Sequence, residues 1–194
     1  MTQTFSNGGT PQDQSETSST APDVVIITGM SGAGRTEAMH TFEDLGYFCI
    51  DNLPPSLIMN MISLASLPGQ NEIGRKLAIV CDARNREYFK QLVGELANME
   101  AAGVTFRVIF LDAADSILIA RYKASRRRHP LCINNKRSIG QAISYERNLT
   151  QELRSLADSY IDTSNMSPRK LRACSMMEAA STSPMTQTMR FEGS

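Results

Sequence analysis

The stretch VVIITGMSGAGRT, residues 24–36, decides how the chain reads. Val24–Ile27 is a short apolar run of β-branched residues, the composition of a buried strand. Gly29-Met30-Ser31-Gly32-Ala33-Gly34-Arg35-Thr36 follows, and it fits G-x-x-x-x-G-K-[ST] at every fixed position except Arg35. Glycines at this spacing let the backbone curl so that successive N–H groups point at phosphate oxygens. From Arg35 to Leu45, the residues Ala38, Met39, Phe42 and Leu45 form an apolar stripe at helical spacing. The N-terminus of that helix adds partial positive charge to the loop. The Thr36 hydroxyl is of the type that ligates Mg²⁺. A strand before the loop and a helix after it are the context that a triphosphate site requires.

Arg35 stands where the motif has lysine. Arginine keeps the charge and forks onto oxygens, but it is planar and bulkier than the compact ammonium that reaches the β- and γ-phosphates. Binding is expected to persist, with hydrolysis the more vulnerable property.

Working outward, β-rich runs alternate with helical patterns: strands at Tyr47–Ile50, Leu77–Cys81, Val104–Leu111 and Tyr160-Ile161. Helices are expected over 54–65, over 86–101, from Asp115 or Ser116 as cap to Arg127, from Ser138 to Leu156, and from Pro168. This alternation predicts an α/β fold with a doubly wound, mostly parallel five-stranded sheet of the P-loop NTPase or kinase-like type. Ligands in such sheets bind beyond the carboxyl ends of the strands, where Gly29, Asp51, Asp82, Asp112 and Asp162 fall. With the third strand beside the first, Asp82 is the expected Mg²⁺ carboxylate together with Thr36. Asp112 reads instead as a cap of the next helix. Asp51 is a candidate on the substrate side.

The chain has 194 residues, enough for one such domain. Residues 1–22 are Ser/Thr/Gln/Gly-rich and are expected to be a disordered extension, 23–173 the nucleotide-binding domain, and 174–194 a low-complexity tail. Twenty basic residues against twenty acidic ones leave no net field, so any nucleic-acid contact must be local. The local patch is Arg121, Lys123, Arg126, Arg127, Arg128, His129, Lys136 and Arg137. It reads as a solvated helix face, as a lid in which Arg126 and Arg127 add charge to a triphosphate, or as an RNA-backbone patch. Tyr122 is the one aromatic within it, so base stacking has little support. Cys49, Cys81, Cys132 and Cys174 are scattered and read as structural thiols. With no signal peptide or membrane segment in the sequence, the chain is expected in the cytoplasm.

The run VVIITGMSGAGRTEAMHTFEDLGYFCIDNLPPSL, then Asp82-Ala83-Arg84-Asn85, FLDA, LIARYKASRRRHPL and LADSYIDTSNMS together resemble the N-terminal domain of the RNase adapter RapZ family. The resemblance is collinear over most of Val24–Arg172. It implies ATP at Gly29–Thr36, GTP at Asp82–Asn85, and ATPase and GTPase activity. It also implies a small RNA and a ribonuclease as partners. Family members continue into a second domain, to which RNA binding is mainly attributed. The sequence at hand continues into MEAASTSPMTQTMRFEGS, so it is expected to carry the nucleotide module alone. Two other readings stay open from the residues: a small-molecule P-loop kinase with Asp51 at its acceptor site, and an RNA-binding adapter without catalysis.

Overall fold

The computed structural model describes residues 22–67, 75–82, 86–132 and 137–181. The expected extension before residue 22, Ala83–Asn85 of the second motif, Lys136, and the tail from residue 182 lie outside the described residues.

A single parallel sheet runs β2-β3-β1-β4-β5. Its strands are β1 (Asp23–Gly29), β2 (Phe48–Asp51), β3 (Lys76–Val80), β4 (Phe106–Asp112) and β5 (Ser159–Asp162). The chain lays β2 and β3 on one side of β1, then crosses to lay β4 and β5 on the other. In register, β1 pairs Val24 with Leu77 and with Phe106. Successive residues of β1 are buried on opposite faces, as a sheet covered on both sides requires. Val24 and Ile26 join the core beneath α2 (Ile58–Ala65), α3 (Arg86–Ala101) and the last turns of α5 (Ile139–Leu156). Val25 and Ile27 join the core beneath α1 (Arg35–Asp44), α4 (Asp115–Ser125) and α6 (Pro168–Ala180).

The helix boundaries follow local chemistry. Ser138 caps α5 in a reciprocal capping box with Gln141. Pro168 opens α6 behind a Ser167 cap. Gly46, at φ 81°, takes the chain out of α1. Several boundaries differ from expectation, the helix expected from residue 54 being a 3-10 turn at Pro55–Leu57 before α2 starts at Ile58. The helix at Asp115 has no side-chain cap: its N-cap is Ala114, and the Asp115 carboxylate accepts from Arg147 instead. The same helix stops at Ser125 rather than Arg127, because Arg126 turns left-handed at φ 54°. The last helix runs from Pro168 to Ala180.

Candidate functional site

Gly29 ends β1 against the backbone of β4. A Cβ there would lie 2.0 Å from the Leu111 carbonyl oxygen, and its φ is +134°, so only glycine fits. The next residue's N–H, that of Met30, donates to the same Leu111 oxygen at 2.9 Å. The chain then doubles back, with Ala33 N–H donating to the Met30 carbonyl at 3.0 Å. Met30, Ser31 and Ala33 turn inward and are buried. Gly32, Gly34, Arg35 and Thr36 line a cleft of about 610 Å³. Gly34, the N-cap of α1, has no side chain to satisfy the first-turn N–H groups, so they are left to whatever enters the cleft.

The rest of the lining comes from two places. Asp51, Asn52, Val80 and Asp82 stand at the ends of β2 and β3. Arg121, Tyr122, Ser125, Arg127, Arg128 and Pro130 come from α4 and the segment after it. Because β3 pairs with β1, Asp82 reaches the loop: its Oδ1 is 3.8 Å from Arg35 Nη1. Arg35 also donates to the Cys81 carbonyl at 3.1 Å, so its guanidinium is tethered along the end of β3. Both side chains are about 15% exposed (15% and 14%), which lets their charges matter. The Cys81 thiol is buried beside them, and burial pushes it up to about 12, which makes it an apolar filler and not a nucleophile. Burial likewise raises Cys49 to about 12.

Of the arginines singled out from the sequence, Arg127 lines the cleft together with Arg128. Arg126 does not line it; it is exposed at the left-handed end of α4. Arg121 is not a free surface charge. It donates to the Gly32 carbonyl at 3.0 Å and to the Thr163 carbonyl at 2.6 Å, bracing the loop against the end of β5. Thr163 in turn donates to the Ala33 carbonyl at 2.9 Å. Asp112 is turned away: it is buried, accepting from Arg147, Tyr160 and the Ala113 N–H. It is neither a cleft residue nor a helix cap. Asp162 accepts from the Ser164 hydroxyl and N–H, which hold its carboxyl below the ordinary value.

Glu146 escaped the sequence reading. It is 1% exposed, and its Oε1 accepts from both the N–H (3.0 Å) and the hydroxyl (2.6 Å) of Ser31. His129, at 0% exposure, donates from Nε2 to Glu146 Oε2 at 3.0 Å. His129 thus has a partner that its neighbours in sequence do not reveal. The clue was periodic: Ala142, Ile143, Glu146, Thr150 and Leu153 share the buried face of α5, which puts a carboxylate inside.

A family profile described as the RapZ-like N-terminal domain matches residues 22–182. The chain belongs to this family. A nucleotide-binding protein of Moorella thermoacetica is 45% identical over 152 residues, covering 78% of this chain and 50% of its own. One of Symbiobacterium thermophilum is 48% identical over 151 residues, covering 77% and 48%. The chain therefore spans about half the length of the curated relatives it matches. Among solved structures, the tunicamycin resistance protein of Deinococcus radiodurans aligns at TM-score 0.51 and 15% identity, over 85% of this chain and 99% of its own. A shikimate kinase from Bacteroides thetaiotaomicron aligns at 0.50 and 12%, over 81% and 96%. At these identities the likeness shows the fold, which is that of P-loop kinases. Among the described residues, no helix of this RapZ-like domain is long and apolar enough to cross a membrane.

Proposed function

We propose that this chain is a nucleotide-binding regulatory module that takes a Mg²⁺-bound ATP or GTP in the cleft. The observation that carries the reading is the meeting of Gly32, Gly34, Arg35, Thr36, Asp82, Arg127 and Arg128 around one cleft at the carboxyl ends of β1 and β3. Loop N–H groups and the start of α1 receive phosphate oxygens, and Arg127 and Arg128 neutralise the outer charge. The relatives named above as nucleotide-binding proteins support the same ligand class.

The donor set fits a magnesium ion. The Thr36 hydroxyl and the Asp82 carboxylate line the same cleft, and Mg²⁺ takes few protein oxygens besides phosphate and water. When bound, the ion would neutralise charge between phosphates. Arg35 is held by the Cys81 carbonyl and faces Asp82, so it acts on phosphate and carboxylate together. That makes for firm binding and slow hydrolysis. GTP at Asp82–Asn85 and delivery of a small RNA to a ribonuclease follow from the family resemblance.

A second reading, a small-molecule kinase, has one observation in its favour: Asp51 and Asn52 line the cleft beside Asp82. The test is titration of labelled ATP and GTP with Mg²⁺ on the wild-type chain and on Arg35→Lys. Micromolar binding by both, with phosphate release rising about tenfold in Arg35→Lys, is expected. No binding at millimolar nucleotide overturns the proposal. Phosphate transfer to an added metabolite pool, without free phosphate, moves the reading to a kinase. RNA binding that weakens with salt and ignores nucleotide moves it to an adapter without catalysis.

A further inference from the structure

We propose that Glu146 is a positioning residue that locks the phosphate loop to the arginine segment after α4, so that these two parts of the cleft lining act as one unit. The inference rests on the nucleotide reading for its ligand but on buried geometry for its mechanism. Glu146 holds the loop through both donors of Ser31, at 3.0 and 2.6 Å. Its other oxygen holds His129 at 3.0 Å, and His129 directly follows Arg127 and Arg128 in the chain.

The proton positions follow from the partners. His129 Nδ1 accepts from the Leu131 N–H at 3.2 Å, so it cannot carry the ring proton in the neutral form. The proton sits on Nε2 and is donated to the carboxylate. The ring of Tyr122, a cleft residue, packs 4.9 Å from the His129 ring. One carboxylate thus holds both Ser31 of the loop and His129 of the segment that leaves α4, beside the Arg121 brace on the Gly32 carbonyl. Both partners are buried, so neither hydrogen bond is shared with water, and a break leaves an unsatisfied group inside.

Glu146→Gln separates the two arms. The amide oxygen still accepts from Ser31. The amide nitrogen faces His129 Nε2 as a second donor, and shifting the ring proton to Nδ1 would set it against the Leu131 N–H. The loop arm survives and the histidine arm breaks.

The experiment measures affinity for a fluorescent ATP analogue with Mg²⁺ in the wild-type chain, Glu146→Gln, Arg128→Ala and the double variant. Each single change is expected to weaken binding about tenfold, the scale of one charge-assisted hydrogen bond. The double variant is expected to bind within about twofold of Glu146→Gln, because a misplaced arginine has little left to lose. Losses that multiply to about a hundredfold would overturn the coupling, since independent groups add in free energy.

Amide hydrogen exchange on the ligand-free chain tests the coupling without nucleotide. Glu146→Gln should speed exchange in Ser31–Gly34 and in Tyr122–Cys132 together, and acceleration of one segment alone overturns the proposal. Should Glu146→Gln fail to fold, Ser31→Ala removes only the hydroxyl arm, and the same paired acceleration is the supporting result. A wild-type chain that binds no analogue defeats the nucleotide reading, while the exchange result still decides the lock.

Discussion

β3 and β4 flank β1 on its two sides, and each apolar run leads into an aspartate, yet the two carboxylates live differently. Asp82 stands on the cleft with 14% of its side chain exposed and one arginine 3.8 Å away. Asp112 keeps 3% exposure and accepts from Arg147 Nη1 at 2.7 Å, Tyr160 at 3.0 Å and the Ala113 N–H at 2.7 Å. Asp82 meets Arg35 as an ion pair on the rim of the cleft. Asp112 is already satisfied by three donors from its own chain. One strand end lines the cleft, while the other is closed to fasten α5 and β5 to the sheet.

The largest expected effect comes from opening the closed end. Asp112→Ala removes the acceptor of three donors and leaves the Arg147 guanidinium, 30% exposed, with Asp115 and the Ala113 carbonyl. A loss of about 3 kcal/mol in unfolding free energy is expected, measured by urea denaturation. Nucleotide affinity measured well below the unfolding transition should stay within about twofold of wild type. An equal loss of affinity and stability would mean that the two strand ends are not separable.

The converse change comes next. Asp82→Asn keeps the shape and removes the charge that would share a magnesium ion with Thr36. The expected result is about a tenfold loss of nucleotide affinity in Mg²⁺ and a much smaller loss in EDTA, with stability within about 0.5 kcal/mol of wild type. If the loss is the same with and without the metal, Asp82 serves Arg35 and not an ion.

This pair of aspartates also marks what could be read in advance. Periodicity and the loop motif contained the parallel sheet, and the usual place of the third strand beside the first in P-loop kinase-like sheets brought Asp82 towards the phosphate loop. The fate of Asp112 was not legible there, since its partners Arg147 and Tyr160 lie 35 and 48 residues away on elements whose facing is set by packing. Arg121 misled for a related reason: in a basic run it looks solvated, and only the return of β5 beside β4 brings the Thr163 carbonyl to it. Glu146 reaches Ser31 across 115 residues, but its place on the buried face of α5 was legible and should have raised the question of what it pairs with.

The smallest effect sharpens the contrast through pH. Tyr160 donates to Asp112, stacks on Phe110 with ring centroids 6.3 Å apart, and carries Arg154 over its ring. Burial first, then the hydrogen bond to Asp112 and the charge of that carboxylate, hold the Tyr160 hydroxyl above its ordinary value of 10.0. A raised value means that the folded chain prefers the protonated phenol. Its contribution is therefore whole below the unfolded value and is lost as pH rises through the folded one. Tyr160→Phe keeps the ring contacts and deletes only the donor, which should cost about 0.5–1 kcal/mol at neutral pH. Tyr160 is 44% exposed, so solvent screens part of that loss. The variant's stability, followed by urea denaturation from pH 8 upward, should approach that of the wild-type chain as the wild-type phenol ionises. Parallel curves for the two chains would mean that the hydroxyl does not hold Asp112 in solution, and the closed strand end would then rest on Arg147 and the Ala113 N–H.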